Sequence, residues 1–157
     1  LLAPEPTLPT SLTANRHDPL PGIAIGQDAL RRLLQSRGGF TLDHGTGRPM
    51  SGGIAVCADP ELAWSFPFRA WDASGVTDWL SAQQLRLAEG DVHVGGWLED
   101  GNVWLEDGNV WLELVWVLPE RLRPAAMTLG RLHRQHAVFD LGRRQLIVLE
   151  YAGDPVG

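Results

Sequence analysis

Cys57 is the only cysteine in the chain, so no internal disulfide can form, and a reducing, cytoplasmic setting is the default expectation. Set in GGIAVCA, it reads as a small core residue rather than a nucleophile. No apolar run approaches the roughly eighteen residues that cross a bilayer. The opening LLAPEPTLPTSLTANRHDPLPG lacks the basic start and continuous apolar stretch of a signal peptide. It also lacks an initiator Met, which suits a chain that follows a removed tag or belongs to a longer one. Positive charge is in deficit: 13 basic against 19 acidic residues leave a formal charge of -6, which disfavours nonspecific binding to nucleic acid or anionic membrane. Missing too are the patterns of named chemistries. There is no HExxH, no cysteine cluster, no P-loop or dinucleotide glycine pattern and no serine elbow.

What the chain does have is a tandem heptapeptide duplication. Residues 98–111 read LEDGNVWLEDGNVW, inside a strand-like stretch that holds four of the seven tryptophans. Asp-Gly between apolar runs is a strong hairpin signal, because glycine accepts positive φ without a Cβ clash. Two readings follow. Either two long strands, 92–99 and 110–118, are joined by a connection that one repeat unit lengthens, or residues 103–106 form a short middle strand of a meander. Seven is odd, and an odd insertion flips every side chain of a continuous strand to the other face. The extra unit must therefore be absorbed in a turn or bulge, which favours the first reading.

At 157 residues and 44% apolar composition the chain is sized for one domain with a single core. Residues 1–22, with five prolines, are expected to be an extended, disordered arm, 23–151 one domain, and 152–157 a frayed tail. Apolar spacing predicts a helix over 27–36, ended by Gly38-Gly39. Strands are expected at 40–42 and 53–58, joined as a hairpin by the loop DHGTGRPMSG. A further strand over 63–68 should be an edge or an end because of Pro67. Ser74 is the expected cap of a helix running to Glu89, with Val76, Trp79, Leu80, Leu85 and Leu87 buried. After Pro119 a helix carries Pro124 in its first turn and Leu122, Ala126, Leu129 and Leu132 near one side. Strands at 137–139 and 145–151 flank the turn DLGRR. The sum is an α+β fold, a mainly antiparallel sheet of about six strands packed by two or three helices.

Candidate sites are few. His133 and His136 stand three apart but without a carboxylate at ligand spacing, so no metal and no cofactor is expected. Arg131, His133, Arg134, Arg143 and Arg144 make the densest basic patch, able to meet a phosphate backbone or an acidic partner, though a solvated face is the simpler reading. A small domain cannot easily bury seven indoles, so Trp97, Trp104 and Trp111 are candidates for protein contact at the hairpin. His93, Arg131 and Asp140 are polar groups that a ligand pocket could gather in space. No catalytic residue can be named.

Three patterns carry a resemblance: GGF-TLD-x-x-TG near the front, GGW and GNVWLEL-x-WVLP in the middle, and LGR-x-x-x-Q-x-AVFDL near the end. They resemble small uncharacterised proteins of actinobacteria, their phages and other mobile elements. The residues concerned are Gly96, Trp97, Val110, Trp111, Leu112, Glu113 and Leu114, then Gly130, Arg131, Gln135, Ala137 and Asp140. The doubled LEDGNVW departs from the group, as do Trp and Glu where it tends to have Tyr and Asp. The resemblance implies an accessory role in a host or phage setting, with no activity to carry over. Taken together, the expectation is a non-enzymatic protein-interaction module acting on a host or defence protein, with a homodimer left open. A small-ligand binder or enzyme is the first alternative, and nucleic-acid binding through the basic patch the second.

Overall fold

The computed structural model describes residues 25–99 and 107–151. Its centre is the most apolar segment of the sequence, β5 (Asn109–Leu118). Along one edge β5 pairs with β4 (His93–Glu99), from His93↔Val115 to Glu99↔Asn109. Its other edge is shared. β3 (Trp64–Pro67) takes Asn109–Leu112, and β2 (Ile54–Cys57) takes Val115–Leu118. β1 (Gly39–Leu42) lies outside β4, while β6 (Ala137–Asp140) and β7 (Gln145–Val148) continue beyond β2. All seven strands pair antiparallel. Because Leu98↔Val110 and Glu99↔Asn109 pair directly, no strand stands between β4 and β5, and the extra repeat unit falls in the connection. The alternative middle strand over 103–106 lies outside the described residues, as do the N-terminal arm and the tail.

Period-two alternation gives this sheet one helix-covered face. Val110, Leu112 and Leu114 of β5 and Val94 of β4 bury there against α1 (Gln27–Arg37) and α2 (Ala73–Ala82), through Leu30, Leu34, Val76 and Leu80. Each such Leu is worth about 1.5–3 kcal/mol of transfer free energy. α1 ends at Gly38, in the left-handed region at φ 75, whose N–H donates to the Leu34 carbonyl. Ile54, Val56 and Val138 form a second cluster with Ala126 of α4 (Arg123–Leu132). The closeness of α4 depends on Gly130, where a Cβ would meet Leu149 Cδ1 at 2.8 Å. Beneath the same helix the buried Asp140 carboxylate accepts from Arg123 Nη1 at 2.5 Å and from the Arg143 N–H at 3.0 Å. Burial alone would raise the Asp140 carboxyl; the Arg143 N–H and the Arg123 guanidinium outweigh it and hold the group below the usual carboxylate range.

Three local expectations are corrected. β1 and β2 do not form a hairpin: β1 joins β4 and β2 joins β5 and β6, so 43–53 crosses between separate parts of the sheet. The 74–89 helix is capped two residues earlier, by Asp72, whose side chain accepts from the Gly75 N–H, and it breaks at Gln83 before a single turn, α3 (Gln84–Leu87). That break rotates Leu85 off the core stripe to 88% exposure. Leu122 and Leu132 also face solvent, since α4 presents Ala126 and Gly130 to the sheet.

Candidate functional site

Among the described residues no helix covers the opposite face of the sheet, where the small residues Thr41, Ala55, Cys57, Gly95 and Ala137 alternate with the core positions. The sheet curls over this face, and a cleft of about 620 Å³ opens between Trp97, Trp111, Glu113, Cys57, His136 and Leu146. It continues inward as a cavity of about 70 Å³ that reaches Thr41, Ala55 and Phe139. Gly95 lines this cavity and lets β5 lie close, since a Cβ there would stand 2.9 Å from Val115 Cγ1. The neighbouring Gly96 serves the other face, where the Phe40 ring occupies the place of its missing side chain.

Glu113 is placed by the topology. β2 stops pairing with β5 at Cys57↔Val115, and β3 starts at Trp64↔Leu112, so Glu113 falls at the gap between them and opposite Gly95. The Cys57 thiol and the Trp97 side chain donate to its carboxylate. Burial nevertheless dominates, and the Glu113 carboxyl is pushed up to about 7. Burial first, and then the Glu113 charge, push the Cys57 thiol upward, so it stays a neutral donor and not a thiolate nucleophile. Trp97 and Trp111 face each other across β4 and β5, their rings 6.2 Å apart and 14° from parallel. The Trp111 indole N–H is buried and has no acceptor among the described residues. The site thus offers a carboxyl that changes charge near neutral pH, two flat apolar walls and one unanswered donor.

Of the expected contact residues, Trp97 and Trp111 line this cleft and Trp104 lies outside the described residues. None of the other described tryptophans protrudes either: Trp79 is buried and Trp64, Trp71 and Trp116 are half-buried. His93, Arg131 and Asp140 do not converge. His93 stands on the cleft face of β4, three strands from Asp140, which points to the helix side, while Arg131 sits on α4 and donates to the Glu150 carbonyl. The basic group divides as well. Arg131, His133 and Arg134 precede β6, and Arg143 and Arg144 follow it, about 13 Å of strand away. Arg134 lies over the Tyr151 ring at 5.0 Å, and His133 leans on Trp116 at 5.2 Å. Glu113 is named from sequence only through the motif resemblance, and His136 only beside His133 as a metal candidate; neither is expected at a cleft. The available signal for Glu113 was a single charge inside NVWLELVWVL; nothing local marks His136.

No helix among the described residues is long and apolar enough to cross a membrane. The chain matches no protein-family model, no curated protein and no solved structure.

Proposed function

We propose that the chain binds a small, flat ligand bearing a basic nitrogen in the cleft beside Trp97 and Trp111. The observation that carries this reading is Glu113: a half-buried carboxyl at the foot of the cleft, raised to about 7 by the desolvation of its side chain. A cationic nitrogen would supply a charge partner for Glu113 and draw its pKa down, while the ligand's ring packs against the indole pair. Benzamidine and benzylamine, with benzoate and benzamide as counterparts, test it by NMR shift mapping on the full chain. The cations should move the resonances of Trp97 and Trp111 and release protons near pH 7, and Glu113→Gln should abolish the preference for cation over neutral analogue. Equal binding of all four compounds, or binding indifferent to Glu113→Gln, would refute the reading.

Protein docking is the second reading, and one observation favours it. β7 is an edge strand with Leu146 42% and Val148 55% exposed, and Leu146 borders the cleft. A peptide added along β7 would complete the sheet and place a side chain between Leu146 and Trp97. The accessory role in a phage or host setting rests on the motif resemblance. Nucleic acid is the reading the geometry favours least, because the basic residues split between the two ends of β6.

A further inference from the structure

Asp43, His44 and His93 meet at the end of the sheet where β1 leaves and β4 begins. The pairing Leu42↔Val94 sets the residues after β1 beside the first residue of β4, closing 49 positions of sequence. The His44 and His93 rings are 4.8 Å apart and tilted by 44°, with their Nδ1 atoms 3.3 Å from each other. Asp43 is fixed beside them by a turn in which its Oδ1 accepts from the Gly45 N–H at 2.7 Å and the Thr46 N–H at 2.9 Å. One ligand atom from each of the three residues lies within 4.8 Å of the others.

The 3.3 Å between the two Nδ1 atoms is the ligand–ligand spacing of a coordination shell, and the Asp43 carboxylate lies close enough to close in on an ion. Zinc–nitrogen bonds of about 2.0–2.1 Å place two ligands of a tetrahedral ion about 3.3–3.4 Å apart. Without an ion, His93 Nδ1 accepts from the His44 backbone N–H at 3.1 Å and also lies 3.3 Å from His44 Nδ1. An ion between the rings would take a lone pair from each and leave the His44 N–H to solvent at an exposed position. The other acid near His93, Asp91, is not free to join. Arg86 grips both its oxygens, at 2.5 and 3.2 Å, while also holding Asp59. Beyond His44 the chain offers Gly90, at φ 83, where even an added Cβ would stand 3.6 Å from Nε2. His44 is itself exposed, so water can reach the group.

We infer that Asp43, His44 and His93 form a binding site for a divalent first-row transition ion, with zinc the best match and the remaining coordination left to water. Two imidazoles and one carboxylate suit such an ion, whereas magnesium and calcium require shells of oxygen. Strand pairing brings these three residues together, which sequence spacing alone does not report. The bound ion would also tie the 43–49 turn to β4.

Zinc titrated calorimetrically into chelator-stripped full-length chain tests the site directly. One ion per chain is expected, with His44→Ala and His93→Ala each weakening binding by about a hundredfold or more, because each removes one of only three protein ligands. Asp43→Asn keeps the turn's acceptor oxygen and loses the charge, and should cost about tenfold. His133→Ala is the control and should bind like the parent, and magnesium in excess should not displace zinc. Binding that survives both His44→Ala and His93→Ala, or no zinc uptake at millimolar concentration, would overturn the inference. Should His93→Ala fail to fold, the exposed His44→Ala decides alone.

Discussion

Leu112 and Glu113 are neighbours in β5 and point to opposite worlds. Leu112 is 1% exposed in a core built from two helices and four strands. Glu113 faces a cleft whose other strands contribute Gly95, Ala55 and Cys57. On the helix face large side chains fill the space and the buried acid Asp140 has its cation, Arg123, at 2.5 Å. On the cleft face small residues floor a space walled by Trp97 and Trp111, and the described partners of the acid, Cys57 and Trp97, are neutral donors. One face is finished by the fold itself. The other is left wanting a partner, and that contrast is the physical basis for placing function there.

The contrast breaks most visibly at Leu112. Leu112→Ala should destabilise the chain by about 3 kcal/mol, from lost transfer energy plus the cavity left among Leu30, Phe68 and Val76. Equilibrium urea unfolding measures this. A loss below about 1 kcal/mol would mean that the helix face is not the tightly filled side.

Glu113 should respond in the opposite direction, and only at the right pH. Its folded pKa, raised from 4.5 to about 7, means that the folded state holds a proton that the unfolded chain has released. Stability linked to this group is complete below pH 4.5, falls as pH rises to about 7, and then stays low. Glu113→Gln removes the ionisation. Its melting temperature should match the parent near pH 4.5 and exceed it at pH 8, by an amount equivalent to on the order of 2 kcal/mol. Parallel melting curves at both pH values would show that Glu113 is well solvated, and the proposed site would lose its distinguishing group.

How much of this was legible follows from what period and punctuation can encode. Gly38 at the end of α1, Pro67 at the end of β3 and Pro124 in the first turn of α4 act through local backbone constraints, and each lies where the sequence puts it. Leu85 and Leu132 defeated the pattern because helical period does not report where a helix breaks or which small residues, here Ala126 and Gly130, meet the sheet. The cleft could not be read at all without pairing. Glu113 is special only because β2 and β3 divide one edge of β5, and His44 meets His93 only because β1 chooses β4 over β2. Those are choices between distant strands, and no local signal carries them.

The smallest effect should come from the most conspicuous sequence feature. Deleting 105–111 joins Trp104 to Leu112, so Asn102, Val103 and Trp104 take the places of Asn109, Val110 and Trp111 in β5 with identical side chains. Glu99, now paired with Asn109, would pair with Asn102, leaving Asp100-Gly101 as a two-residue turn of the type that best fits hairpin twist. Every core residue of β5 keeps its face, and Trp97 keeps a tryptophan opposite it. Shortening the connection from nine residues to two should gain about 1 kcal/mol of loop entropy, a rise of roughly 2–4 °C in melting temperature. A small rise with unchanged benzamidine shifts at Trp97 would assign the duplication to the connection alone. A large loss of stability would mean that the second copy does more than return the strand, and the two faces of β5 would then not be separable from the turn that joins it to β4.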